Sequence, residues 1–530
     1  MSVQLRKIFL QKLKGVNLMR YFSYIVSMLI IVFLVACRSD TPSPPPPTTS
    51  TDTKPVNVEK PRVSAPIFET TFDDLSPFYD GLIASEQKAL DQLDGASIYR
   101  IDLQILDDLV NLEGKQTVIY TNQETEPLNE VYFRLYPNLM GGKTEIHSTN
   151  VNGHDVNPTY ELADSAMLVP LSPALQHGEQ VTIEIAFSVT VPTESGGNYG
   201  MFAFVDETLA LAHFYPIIPV YDDEEWNIEI PSQSGDVIYA DSSFYIVRVT
   251  APSDLTMVVS GVEHERQTID NRQQVTYLGG PFRDFYIAAN TDYTVVSQKI
   301  GATTVNSYAP TKFADGGKRS LEYAVNSLET FNEQFGTYPF TELDIASTPT
   351  FALGIEYPGM MVIAVSLYDS TKGYPLQYLE STVAHETAHQ WFYNAIGNDQ
   401  LDEPWVDEAF CQYATLLYWN GRFGKQGADG FRDSLHGRWE RVDKAEIPIG
   451  MPVRKYVDSE EYGAIVYGRG PLFIEALAEK MGEESFNVFL KDYYQTHKWK
   501  IATTESMKQL AESHCDCDLT PLFSKWVYEH

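Results

Sequence analysis

Cysteine is scarce in this chain of 530 residues: only Cys37, Cys411, Cys515 and Cys517 occur. The segment His514-Cys515-Asp516-Cys517 lacks the ligand spacing of a zinc finger and reads as a loop. With Cys37 set apart, the three remaining thiols allow a single disulfide to Cys411, its pairing left open. Basic residues are also few, 38 Lys and Arg against 72 Asp and Glu, a net charge of −34. So acidic a chain is unsuited to nucleic acid, and to docking on anionic lipid through charge. The apolar run from Tyr21 to Ala36 is short for a full membrane span.

What is present suffices for more than one core, because 43% of the residues are hydrophobic. Arg6, Lys7, Lys12, Lys14 and Arg20 precede the run at Tyr21–Ala36, the pattern of an export signal, with Met19 as an alternative start. Leu34-Val35-Ala36-Cys37 resembles the lipobox of bacterial lipoproteins. That resemblance implies cleavage of residues 1–36 and lipidation of Cys37, hence a protein anchored on the outer face of a bacterial membrane, in the cell envelope. An uncleaved membrane anchor is the alternative. Cleavage would leave 33 basic against 72 acidic residues, a net charge of −39. Residues 37–65, rich in Pro, Thr and Ser, have too little apolar content to bury and read as a tether.

Residues 66–96 read as a helical lead-in. The period then changes to two: Tyr99, Ile101, Leu103 and Ile105 alternate with polar residues, as do Val131, Phe133 and Leu135. Val181 through Val191 gives the clearest such run. An antiparallel β domain is expected over 97–291, with 209–226 and 281–289 as its later strands. From Lys318 the period becomes helical through Leu321, Ala324, Leu328 and Phe331, stopping at Phe335-Gly336.

The chemistry concentrates in residues 381–413. His385, Glu386 and His389 have the spacing H-E-x-x-H, and Glu408 follows after eighteen residues. On a helix, side chains at i and i+4 stand one above the other, so His385 and His389 can share one Zn²⁺. Glu386 lies on the same side, placed to act on a water at the metal. Leu379, Val383, Ala388, Trp391, Phe392 and Ala395 keep helical spacing, and a second helix reads from Pro404 through Val406, Phe410, Tyr413 and Leu417 with Glu408 in its first turn. Glu408 is the expected third ligand. Three protein ligands leave a position open for water and substrate, the catalytic type of zinc site.

HETAHQWF followed by EPWVDEAF resembles the gluzincin aminopeptidases, the aminopeptidase N and leukotriene hydrolase group, with Ala409 where that family usually has Gly. The resemblance implies a multidomain β then α+β fold: a saddle-like β domain followed by a thermolysin-like, mainly helical zinc peptidase domain, here residues 292–530, without the helical C-terminal domain of larger members. It implies one Zn²⁺, peptide substrates with a free N-terminus, and no nucleic acid. Gly354-Ile355-Glu356-Tyr357-Pro358 resembles the family's G-x-M-E-N element, which lines the cleft. By that likeness Gly354 and Glu356 bind substrate, the Glu356 carboxylate holding the α-amine. Tyr467-Gly-Arg-Gly is similar to the segment carrying the family's catalytic tyrosine, which makes Tyr467 the oxyanion donor, ahead of Tyr456 and Tyr462. The second amine-holding residue of many relatives has no assignable counterpart near Leu209, Ala210 and Leu211, nor at Glu207. The expected function is therefore a zinc aminopeptidase with Glu386 as general base. A zinc endopeptidase, another zinc hydrolase, and a catalytically silent peptide-binding relative are the alternatives.

Overall fold

The computed structural model describes residues 67–69, 75–196, 198–222 and 225–528. The export signal, the tether and Cys37 lie outside the described residues. Among the described residues no helix is long and apolar enough to cross a membrane. The helical lead-in takes the form of three short 3-10 turns, Ile67–Glu69, Ser76–Gly81 and Gln87–Gln92, rather than α-helices.

The first half is β structure. An eight-stranded sheet runs in the order 262–269, 272–282, 243–252, 98–105, 111–121, 180–190, 143–151, 154–156. Its pairs are antiparallel except Ile98–Ile105 beside Ser243–Pro252. The two-residue period sets which face is buried: Tyr99, Ile101, Leu103 and Ile105 all point into the core, as do Val181, Ile183, Ile185, Phe187 and Val189. Smaller sheets pair 128–134 with 166–175, and 208–211 with 202–205 and 287–290. The run expected to supply later strands, 209–226, does so only at Thr208–Leu211 and in a two-residue hairpin at Tyr221–Asp222 and Glu225–Trp226. Between them Pro216 and Pro219 cannot donate to a ladder, and His213 sits at φ 50°, so the segment is buried but irregular.

The expected boundary at 291/292 falls in the turn between Ile287–Asn290 and Tyr293–Ile300. Beyond it a five-stranded sheet has the order 293–300, 303–310, 342–348, 360–364, 354–357, leaving Gly354–Tyr357 at the edge. Behind it lies the helix Ala314–Gln334, whose buried residues include Leu321, Ala324, Leu328 and Phe331. The helices that follow include Leu376–Ala388, Trp405–Trp439 (interrupted at Gly424), Gly470–Met481, Glu483–His497, Thr504–Cys515 and Thr520–Trp526.

Two expectations are corrected. The helix carrying the metal motif ends at Ala388 instead of continuing to Ala395. Asn394 N–H bonds back to His389 O and Ile396 N–H to Trp391 O, reversing the chain, so Trp391, Phe392 and Ala395 are buried in a turn. The disulfide joins Cys515 to Cys517, while Cys411 is a free, buried thiol. Cys411 lies on the Trp405–Trp439 helix against Phe392 O, at 3.7 Å, which occupies it within the core.

Candidate active site

The two motif helices pack side by side. Tyr418 donates to Glu380 Oε1 at 2.8 Å, and Trp419 Nε1 donates to Ser381 Oγ at 3.0 Å. This pairing brings Glu408 to the histidines. His385 Nε2 is 3.1 Å from Glu408 Oε2, His389 Nε2 is 3.6 Å from the same oxygen, and the two Nε2 atoms are 3.3 Å apart. His389 Nδ1 lies 3.0 Å from Phe392 O. A carbonyl can only accept, so Nδ1 carries a proton there, which leaves Nε2 as the nitrogen that would give up its proton to hold a metal.

These donors fit a zinc ion. Tetrahedral ligands at about 2.0–2.1 Å from zinc stand roughly 3.3 Å from one another, the separation seen here. Glu408 Oε2 is buried without a hydrogen-bond partner. Burial lowers the His385 pKa. At His389 burial also acts downward but is outweighed by Cys411 first and then by Glu356 and Glu408, and the pKa ends well above the ordinary value. Burial would raise Glu408, yet His389 and His385 hold it well below the usual range.

Around this corner sit the other expected residues. Glu386 is buried, and burial, followed by Glu356 and Glu408, keeps its carboxyl well above the usual pKa, partly offset by His389. Gly354, on the edge strand, passes so close to Glu386 that a Cβ there would lie 2.4 Å from its Oε1. Glu356 Oε1 is 3.8 Å from His389 Nδ1, and Glu356, Glu386 and His389 place donor atoms within 4.8 Å of one another. Tyr467 lies in a π-helical turn, Ile465–Arg469, and its hydroxyl donates to Glu408 Oε1. Burial and the nearby Glu408 raise its pKa well above 10, so the phenol stays a donor. Tyr462 packs its ring 5.6 Å from that of Tyr467, whereas Tyr456 donates to Ile449 O at 3.1 Å. Ala409 is accommodated because residue 470 is glycine: a Cβ on Gly470 would meet Ala409 Cβ at 2.9 Å.

Sequence reasoning missed three polar residues. Gln400 Nε2 donates to Glu356 Oε1 at 3.2 Å and to Asp407 Oδ2 at 2.9 Å. Asp407 also accepts from Glu408 N–H at 2.8 Å; burial, and next Glu408, push its pKa up. Asp236 comes from the β half, beside Gly235, whose N–H donates to Tyr199 Oη at 3.1 Å. Burial raises its pKa well above the usual range, with Glu356, Glu408 and Asp407 adding to the effect. No sequence period marks these three, although Asp407 sits one residue before a ligand.

Comparison with known proteins agrees with this geometry. Residues 319–526 match the family model described as the peptidase family M1 domain. Aminopeptidase 2 of Candida albicans is 25% identical over 54% of this chain and 33% of its own length; Aminopeptidase M1 of Arabidopsis thaliana is 27% identical over 53% and 33%. The matches thus span about a third of these relatives. Among solved structures, an M1 zinc metallopeptidase from Deinococcus radiodurans superposes with a TM-score of 0.58 at 19% identity, covering 82% of this chain and 93% of that one. A two-domain M1 zinc metallopeptidase mutant bound to L-arginine gives 0.61 at 19%, covering 82% and 94%. A β-rich half followed by a helical half is the architecture they share. Residues 319–526 therefore match a peptidase family M1 domain, and the chain is similar to the aminopeptidase N-like gluzincins in sequence and in fold.

Proposed function

We propose that the chain is a zinc aminopeptidase that removes N-terminal residues from peptides. The observation that carries this reading is the closeness of Glu356 to the metal corner. A carboxylate whose donor atoms lie within 4.8 Å of those of Glu386 and His389 would hold an α-ammonium about one residue from the bond being cut. The relatives that match are named aminopeptidases, and an M1 zinc metallopeptidase mutant of like fold binds Tyr-Ser-Ala as substrate.

In this reading His385, His389 and Glu408 hold one zinc ion, which supplies Lewis-acid polarisation of the scissile carbonyl and a lowered pKa for water. Glu356 fixes the register by taking the free amine. Glu386, whose carboxyl is raised well above the usual range by burial, accepts the proton of the attacking water and delivers it to the leaving nitrogen. Tyr467 donates its O–H to the oxygen that becomes negative; to do so it exchanges its bond to Glu408 Oε1 for the substrate. The same proposal places the protein outside a bacterial membrane, anchored through lipid on Cys37, which rests on the basic segment, apolar run and LVAC sequence alone.

The deciding experiment compares free and N-acetylated aminoacyl arylamides, with and without chelator. Free-amine substrates should be cleaved much faster, and chelation should abolish cleavage of both. Equal rates on blocked and free substrates would replace this reading with the endopeptidase.

A further inference from the structure

We infer that Gln400 is a positioning residue that aims the Glu356 carboxylate, an inference resting on the role just proposed for Glu356. Three buried side chains from separate segments meet here: Glu356 on the edge strand, Gln400 in the loop before the second metal helix, and Asp407 in that helix's first turn. The Gln400 amide has two N–H groups and spends them on two carboxylates, at 3.2 Å on Glu356 Oε1 and 2.9 Å on Asp407 Oδ2. In this orientation each N–H group meets a carboxyl oxygen from a different segment. The arrangement leaves Gln400 Oε1 buried without a partner.

A carboxylate on a short edge strand can turn about its side-chain torsions. Pinning Oε1 to Gln400 removes that freedom and leaves the other oxygen as the acceptor for an ammonium. Asp407 fixes Gln400 in turn, and its Oδ1 accepts the N–H of Glu408. The amine holder and the metal ligand are therefore set in one frame, which fixes the distance from substrate amine to scissile carbonyl.

Gln400→Met keeps length and removes both donors; Gln400→Glu keeps shape and polarity while replacing donors by an acceptor. Each is measured on an aminoacyl arylamide and on its des-amino counterpart, with zinc content determined alongside. Loss of a hydrogen bond to a charged group predicts about a ten- to hundred-fold fall in kcat/KM on the free-amine substrate. The des-amino substrate should change by less than about threefold, with one zinc per chain retained. In a Glu356→Ala background, Gln400→Met should cost nothing further, since Gln400 acts through Glu356. Two results overturn the inference while leaving the aminopeptidase reading intact: equal losses on both substrates, or a further tenfold loss in the Glu356→Ala background. If Glu356→Ala itself fails to lower the preference for the free amine, the reading beneath it falls first. Should the Met variant not fold, the Glu variant must show the same selective loss, and unchanged selectivity there rejects the role.

Discussion

The metal corner and the amine corner of the cleft are built on opposite plans. His385, His389 and Glu408 come from two helices close in sequence, and the helical repeat itself sets two of the three. The amine corner takes Glu356 from an edge strand, Gln400 from a loop and Asp407 from a helix start. The first corner needs only two helices to pack. The second needs sheet, loop and helix start in register, so under the proposed function it is where substrate selection would change without loss of the metal.

The largest effect that can test this contrast is at the base. Glu386→Gln keeps shape and should keep zinc, yet lower kcat by about 10²–10⁴ on every substrate, blocked or free. Near-normal turnover in a zinc-replete Gln variant removes Glu386 from the role. Glu356→Ala should give a smaller, selective effect. Removing one partner of a partly buried charge pair costs about 2–5 kcal/mol, so kcat/KM on free-amine substrates should fall roughly thirty-fold or more with zinc retained. Loss of zinc in that variant would show that the two corners are not separable.

The smallest effect concerns the loop carrying Gln400. Burial pushes the Asp399 carboxyl from 3.8 up to about 7, although the N–H groups of Asp402 and Leu401 act downward. With the folded pKa above the unfolded one, the folded chain keeps a proton that the unfolded chain releases between about pH 4 and pH 7. Asp399 therefore contributes a loss of stability as pH rises through that window, complete above it. Asp399→Asn can still accept both N–H bonds and carries no charge. Its Tm relative to wild type should rise by roughly 1–3 °C between pH 5 and pH 8. A difference independent of pH would clear Asp399 of this effect.

Legibility follows the same division. Strands such as Gln180–Thr190 and the helix Ala314–Gln334 were readable because burial follows the local period. The periodic run at 391–395 misled, since those apolar residues are buried by a turn and not by a helical face. The segment 212–220 misled for a like reason: apolar content marks burial, and proline with a left-handed His213 decides against a ladder. Gln400 gave no signal, because one glutamine in a polar loop acquires meaning only from two carboxylates 44 and 7 residues away.

The sequence by itself determined the metal chemistry: donors at i and i+4 on an apolar-faced helix, with a carboxylate opening the next helix, need no distant contact to be recognised. It also determined the order of β then helical structure, since the two periods are local properties of the chain. The tertiary structure alone decided where the motif helix stops, that Cys515 bonds Cys517 and leaves Cys411 in the core, and which polar groups gather around Glu356. The helix stop and the Cys515–Cys517 bond are local yet carry no period, and the groups around Glu356 come from segments far apart in sequence, whose contacts leave none either.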